Sequence, residues 1–369
     1  MRAIGIILAG GQNEKLGELT KNRATSAMPV GSSYRAIDFS LSNMVNSGIN
    51  KVAVITQFNS RSLHDHLNSS KWWGFGRKHG GLFVFSPFLT KDGLPFFRGT
   101  GDSIFQNISF LKRSNEPYVV ITSGDGIYKM DYNRIIDFHE QKNADFTVVC
   151  KEVGDMDVRN FGVVSLDEHY RLIEFEEKPL EAFSDTISLG IYVIKRELLI
   201  EILEKNNNEG RHDLVRDIIA RYRKRLNIFG LLYDGYWSTI NTTSSYYNIN
   251  MDFLRADIRA NLLLEEPFIE TKNKDEPPAK YNFNSRVKNA LVGSGSIIDG
   301  TVEDSVLFRG VRIMERAFVS NSIVMEGCEI GNDCVIEYAI LDKEVVLTNG
   351  ITVRGTAENP RIIPKGSVI

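Results

Sequence analysis

The sequence predicts an α/β domain built on a mostly parallel, Rossmann-like sheet, followed by a left-handed parallel β-helix. Three observations predict it. In the first half, β-branched apolar runs alternate with helix-patterned stretches. A polar segment interrupted by Pro267, Pro277 and Pro278 comes next. Beyond Ala290, short apolar residues recur every six positions. Strand–helix alternation builds a parallel sheet covered by helices on both faces. A six-residue period in triplets puts one hexad on each face of a triangular coil.

The elements follow in chain order. Apolar runs at 4–9, 51–56, 118–122 and 146–150 read as buried strands. The stretches 37–46, 103–112 and 132–141 have helical spacing, and so does 245–264. In such a sheet ligands sit at the carboxyl ends of the strands, so the loops after Ala9 and Thr122 are the first places for a site. The domain boundaries expected are 1–255 for the α/β domain, 256–285 for a linker and 286–369 for the β-helix. The repeat is carried by Leu307, Ile313 and Val319, then Val324, Ile330 and Ile336, then Leu341, Leu347 and Val353. Each coil buries its inner face only by stacking on the next. The stretch LVGSGSIIDGTV belongs to the same region but does not fall into phase. Phe308, Met314, Phe318, Met325 and Tyr338 cannot all enter a narrow triangular core. Some of them should be exposed or covered by another subunit.

Composition excludes several classes. Lys+Arg 44 against Asp+Glu 47 gives a net charge of -3, which argues against nucleic-acid binding by bulk charge. The opening MRAIGIILAGG is too short and too Gly-broken for a signal peptide or a membrane span. Cys150, Cys328 and Cys334 form an odd, sparse set with no CxxC, as in a reducing cytosol. A cytoplasmic protein with no membrane partner is expected.

Four local patterns could carry chemistry. The first is the strand–Gly10–Gly11 loop, which fits a phosphate cradle and equally a plain tight turn. It is neither a Walker A loop nor a GxGxxG fingerprint. The second is Ser123-Gly124-Asp125, where a carboxylate at a strand end can hold a metal–phosphate complex or cap the next element. The third is Phe175-Glu176-Glu177-Lys178-Pro179, either a sugar-phosphate pair or a solvated charge run. The fourth is the turn Gly99-Thr100-Gly101-Asp102. His64 and His66 lack the spacing of a helical metal pair and read as surface positions. Trp72-Trp73 reads as a ligand platform, a packing plug or a partner contact.

Taken in order, these motifs resemble the ADP-glucose pyrophosphorylase (glucose-1-phosphate adenylyltransferase) family across nearly the whole chain. The matching stretches are ILAGGQNEKLGELTKNRA, YRAIDFSLSNMVNSGI, VITQF, FRGTGDSIFQN, SGDGIYKMDY, FGVV, IEFEEKP, SLGIYV, DLVRDII and GYWSTINT, with the hexapeptide tail. The resemblance implies a nucleotidyltransferase-like first domain and a role in glycogen biosynthesis. It also implies the reaction: glucose 1-phosphate attacks the α-phosphorus of ATP and pyrophosphate leaves. Nucleotide binding falls to Gly10, Gly11, Gly99 and Thr100. Sugar-phosphate binding falls to Gly162, Glu177, Lys178 and Ser188, with Asp213 also matching.

The departures fall on the charged positions. The resemblance implies two Mg2+ carboxylates, and here Asp125 is retained while Thr239 stands in place of the second. Thr25 replaces a Lys of the KPAxP motif. Lys15 replaces an Arg of the glycine loop, and Asn13 replaces its third glycine. Gly126 follows the SGD motif where a larger polar residue is usual, and Ser33 replaces a common Lys. Mg2+ is therefore expected through Asp125 alone, and weakly, with no other cofactor. Arg23 is a candidate to lean in for the missing Lys. Lys for Arg keeps the charge but loses the bidentate fork.

This pattern resembles the GlgD-type non-catalytic or regulatory subunit. It implies a hetero-oligomer, expected to be a tetramer, with a catalytic homologous subunit. Glucose 1-phosphate, ATP or a regulatory phosphate are the expected ligands. The competing reading is an active adenylyltransferase with a rebuilt metal site. A hexapeptide-repeat acyltransferase would place a His in the repeats as general base. All six histidines, His64, His66, His79, His139, His169 and His212, precede them.

Overall fold

A computed structural model describes residues 2–76, 80–88, 96–154 and 156–369. His79 lies outside the described residues. Among the described residues the first domain is organised by a nine-stranded sheet. Ala3–Ala9 is central and pairs in parallel with Lys51–Thr56 on one side and Tyr118–Ser123 on the other. Gly81–Phe85 extends the parallel half. Thr186–Lys195 then runs antiparallel to both Tyr118–Ser123 and Phe146–Glu152 and makes the sheet mixed. Gly162–Leu166, Leu172–Glu177 and Ile228–Leu232 complete it.

The strand residues alternate between two cores as a period of two requires. Ala3, Ile7, Val52, Val54 and Val120 face the helices Ala36–Asn46 and Tyr132–Gln141. Ile4, Ile6, Ala53, Ile55, Val119 and Ile121 face the opposite layer, which includes Arg196–Asn208. Gly5 lets the first helix come close: a Cβ there would sit 2.7 Å from Met44 Sδ. The stretch expected as one helix over 103–112 is two, Thr100–Gln106 and Ile108–Lys112, separated at Asn107. The stretch over 245–264 likewise divides into Thr243–Asp252, Ala256–Arg259 and Ala260–Leu264. Its start is fixed by a capping box between Thr242 and Ser245. Phe253, at the break, is fully buried against Phe39.

The repeat region forms parallel coils. Thr301 pairs with Phe318, Phe318 with Val335 and Val335 with Thr352. All nine apolar repeat positions are buried. Equivalent positions are 17 residues apart, as in the Arg316–Asp333 pair that joins neighbouring coils. Two faces therefore carry six residues and one carries five, which falls between Val319 and Val324 and again between Ile336 and Leu341. The corners use left-handed backbone throughout: Gly310, Gly327 and Glu344 at one, Arg316, Asp333 and Gly350 at the next, Asp304, Asn321 and Tyr338 at the third. Strand Lys280–Tyr281 pairs with Ile297–Ile298 and so adds the out-of-phase stretch to the stack.

Two of the apolar residues outside the coil core are covered by the chain itself. Phe308 and Met325 are buried against Tyr246, Phe253 and Met28 of the first domain, with Tyr338 packed at the margin. Met314 and Phe318 are half-buried. The expected need for another subunit over Phe308 and Met325 is thus removed by the interdomain contact. Arg23 belongs to that contact as well. Its guanidinium donates to Asp342 Oδ1 at 2.6 Å, with side chains only 6% and 2% exposed. It does not lean into the first domain's cleft.

The Pro-interrupted segment is strapped down. Thr271 Oγ1 donates to Asp38 at 2.6 Å, and Glu270 N donates to Ser42 Oγ at 2.8 Å. The Trp73 indole N–H donates to the Glu270 carbonyl at 3.0 Å. Trp73 is therefore a buried plug beneath this strap. His66 is buried too, 2.6 Å from Asp38 and edge-on to Trp73, and His64 bonds Thr56 Oγ1 at 2.9 Å. Both were expected at the surface. The helix Arg61–Leu67 instead turns these rings toward the sheet and the strap. No helix among the described residues is long and apolar enough to cross a membrane.

The three cysteines are free and buried. Burial pushes the Cys328 thiol up to about 12 and raises Cys150 further still. The native chain is therefore expected to be inert to a thiol-disulfide reagent at pH 8 and to release all three thiols in denaturant. Fast labelling without denaturant would contradict this packing.

Candidate active site

The carboxyl ends of the two central strands meet at one cleft. Leu8 lies opposite Ser123 in register, and the Gly124 amide donates to the Leu8 carbonyl at 3.0 Å. The cleft has a volume of about 750 Å³. Gly10, Gly11, Gly99 and Thr100 line one part of it, and Glu177 and Lys178 another. Lys15, Thr25 and Asp125 line it as well. Most of the residues singled out from sequence therefore come together.

The glycine loop is open to ligand and pinned at one point. A Cβ on Gly11 would meet nothing within 4 Å. Among the described residues the amides of Gly11, Gln12 and Asn13 have no hydrogen-bond partner. Asn13 Nδ2 donates to the carbonyls of Ile240 and Asn241 at 3.2 and 2.9 Å. The replaced glycine thus ties the loop to the segment that follows Thr239. Lys15 Nζ donates to Asn160 Oδ1 at 2.5 Å, a neutral partner.

Gly99 and Thr100 are held by close packing. A Cβ on Gly99 would lie 2.5 Å from the His212 carbonyl, and the Leu214 amide donates to Thr100 Oγ1 at 3.0 Å. Asp213 is bonded within its own turn, through Asp217 and Arg216. It does not line the cleft.

Asp125 stands at the floor, and the Ser123 hydroxyl donates to its Oδ1. Burial raises its carboxyl above the usual range, and the Ser123 bond opposes that. Ser123 is itself held by Ser40, whose Oγ donates to the Ser123 carbonyl at 2.8 Å. Thr239 ends the strand Trp237–Thr239, which pairs antiparallel with Gly126–Tyr128 so that Thr239 faces Gly126. The next amide, Ile240, donates to the Asp125 carbonyl at 3.3 Å. Thr239 therefore sits beside Asp125 along the backbone but offers no carboxylate. Gly126 is tight for packing reasons, since a Cβ would lie 2.9 Å from the Tyr128 ring.

Thr25 is 6% exposed, and among the described residues its hydroxyl has no hydrogen-bond partner. That is an unsatisfied polar group on the cleft wall. Glu177 ends the strand Leu172–Glu177 and Lys178 follows it, their charged groups 4.0 Å apart. Burial raises the Glu177 carboxyl, with Lys178 opposing. Gly162 backs this strand, where a Cβ would strike the Phe175 ring at 2.6 Å. Ser188 is buried and reaches the cleft only through Tyr192, its hydroxyl neighbour at 3.3 Å. Sequence reasoning missed Gln57, Phe58, Tyr192 and Asn241 as cleft residues. They carry no pattern of their own and arrive from separate strands and loops.

The donor set decides the metal question. An Mg2+ centre of the two-carboxylate kind needs a second oxygen anion beside Asp125, and Thr239 is neutral there. Among the described residues no group of three or more His, Cys, Asp or Glu could hold a metal ion. The residues present do not fit that centre.

A second, smaller pocket of about 240 Å³ lies between the domains. Ser33, Arg35, Lys272 and Arg309 line it. Inside it, Glu326 is bracketed by Lys274 and by Lys343, the latter at 2.7 Å. Burial works against the Glu326 carboxylate, but Lys343 and Lys274 together hold it down at about 2. A depressed carboxyl stabilises the fold above its unfolded value, and that contribution fades as pH falls toward the folded one. Glu326→Gln is therefore expected to lower the unfolding midpoint at pH 7. The gap to the unmodified chain should shrink as pH falls from about 4.5 toward 2. A gap independent of pH would contradict the ion-pair account.

Comparison with known proteins agrees with this architecture. Residues 4–256 match the family model described as nucleotidyl transferase, and residues 277–360 match the GlmU-like C-terminal hexapeptide model. The chain is similar to a glucose-1-phosphate adenylyltransferase of Bacillus cereus (strain Q1), 37% identical over 96% of this chain and 95% of the relative. It is 36% identical to proteins of that description from Bacillus thuringiensis (strain Al Hakam) and Bacillus anthracis, with the same coverage.

Proposed function

This chain belongs to the glucose-1-phosphate adenylyltransferase family of nucleotidyl transferases, and from that premise we propose that it is a regulatory subunit with little or no activity of its own. It serves ADP-glucose formation from ATP and glucose 1-phosphate in glycogen biosynthesis, as partner of a catalytic homologous subunit. One observation carries this reading: the cleft keeps its walls while two of the charged positions that the resemblance implies, 239 and 25, are neutral. Asp125 stands without a second carboxylate at Thr239, and Thr25 brings a hydroxyl where the resemblance implies an ammonium. Phosphoryl transfer depends almost wholly on positioning and on offsetting charge, so these positions matter more than the walls.

The chain's own residues still do work in the cleft. The Gly11–Asn13 amides offer donors to phosphate oxygens. Glu177 and Lys178 together suit a sugar hydroxyl and its phosphate. The basic interdomain pocket suits a regulatory phosphate, in competition with Glu326. A second reading, an active enzyme with a rebuilt site, is favoured by the retained carboxylate of Asp125. Mixing the chain with a catalytic homologue separates the two. Co-elution in a hetero-oligomer, with a changed rate, substrate affinity or effector response of the catalytic subunit, supports the regulatory role. Absence of both association and kinetic effect contradicts it.

A further inference from the structure

The side chains around the cleft suit a ligand quite different from a metal-bound triphosphate. Among the described residues the charged ones are Lys15 and Lys178 against Asp125 and Glu177, so their formal charges cancel. Lys178 already lies near Glu177, and Lys15 is held by the neutral amide of Asn160. Asp125 has one carboxylate oxygen taken by the Ser123 hydroxyl. Besides the Lys15 ammonium, what remains unspent is uncharged: the amides of Gly11 to Asn13 and, among the described residues, the buried, unpartnered hydroxyl of Thr25. A buried hydroxyl without a partner, on a residue that lines a cleft, is satisfied when it turns to a ligand acceptor or a water there.

We infer that this cleft takes its phosphorylated ligand without a divalent cation, and selects nucleoside-diphosphate sugars and sugar monophosphates over nucleoside triphosphates. The volume of about 750 Å³ is large enough for a nucleotide sugar. Thr25 Oγ1 donates to a phosphate oxygen of that ligand, alongside the loop amides and Lys15. A metal-free triphosphate brings more negative charge than Lys15 can offset. It also lacks the two-carboxylate centre that would hold its neutralising cation. Asp125 then acts as a repulsive element against the extra phosphate rather than as a metal anchor. This inference rests on the cleft being a retained ligand site, as proposed above.

The test is calorimetric titration of the full chain with ADP-glucose, glucose 1-phosphate and ATP, each in EDTA and in Mg2+. ADP-glucose and glucose 1-phosphate should bind with affinities equal within about threefold in the two buffers. In EDTA, ATP should bind at least about tenfold more weakly than ADP-glucose. Thr25→Val should weaken ADP-glucose about tenfold or more, as expected for a lost hydrogen bond to a charged acceptor, while Thr25→Ser retains binding. Tightening of either sugar ligand by Mg2+ beyond threefold overturns the inference and leaves the ligand-site reading standing. So does ATP binding as tightly as ADP-glucose in EDTA, or unchanged affinity in Thr25→Val. If none of the three binds in either buffer, the inference and the retained-cleft reading fall together.

Discussion

Restoring the lost charges should restore chemistry, and only when they return together. Alone, the unmodified chain is expected to form ADP-glucose at least about 10³-fold more slowly than a catalytic homologue. Loss of one preorganised charge partner commonly costs about 10²–10³ in rate, and the losses here are several. Thr239→Asp places a carboxylate opposite Gly126, beside Asp125, where the strand pairing already holds the backbone. By itself it should recover no more than about tenfold, because the cation missing at Thr25 is still absent. Thr239→Asp combined with Thr25→Lys and Lys15→Arg should recover about 10²-fold or more. Steady-state rates of pyrophosphate release measure this. A triple variant no faster than Thr239→Asp would show that the loop tie through Asn13, rather than the missing charges, limits the site.

The largest stability effect is expected at the contact between the domains. Arg23 and Asp342 form a 2.6 Å ion pair with almost no solvent contact. Removing one partner leaves the other buried and uncompensated, which commonly costs about 3–5 kcal/mol. Asp342→Ala should therefore lower unfolding stability by that order in a urea titration. Replacing both, as Arg23→Met with Asp342→Leu, should recover much of the loss, because an apolar pair has no charge to desolvate. Additive losses in the double variant would mean that the pair is not coupled as its geometry implies. The contact bears on the cleft too, since Thr25 follows Arg23 by two residues and lines that cleft.

Much of this was legible in the residues, for identifiable reasons. Strands such as Lys51–Thr56 are apolar on both faces, so a short β-branched run marked them. The inward repeat positions were legible because stacking demands one apolar residue per face. The five-residue face was present in the same spacing, as the step from Val319 to Val324, but a hexad template passes over it. Of the antiparallel half of the sheet, only Phe146–Glu152 was legible. Leu172–Glu177 buries only Leu172 and Phe175 and exposes its other four residues, three of them glutamates, so it read as a charge run.

The site was legible where motif and structure share a short segment, as at Gly10–Gly11, Asp125 and Glu177–Lys178. It was not legible where the chemistry depends on distant partners. Nothing local to Arg23 announces Asp342, and nothing local to His66 announces Asp38 and Trp73. Phe308 and Met325 looked like surface for a second subunit because the first domain, far away in sequence, covers them. Ser40 behind Ser123 is hidden for the same reason: a helix residue meets the site only after the sheet is built.

The central claim is that the cleft has kept its walls and lost its catalytic charge. It is tested most directly by the turnover of the purified, unmodified chain with ATP, glucose 1-phosphate and Mg2+, beside its Asp125→Ala variant. The account predicts a rate at or near background in both, with no effect of the substitution. Robust Mg2+-dependent formation of ADP-glucose, abolished by Asp125→Ala, would contradict it and establish an active enzyme that works from a single retained carboxylate.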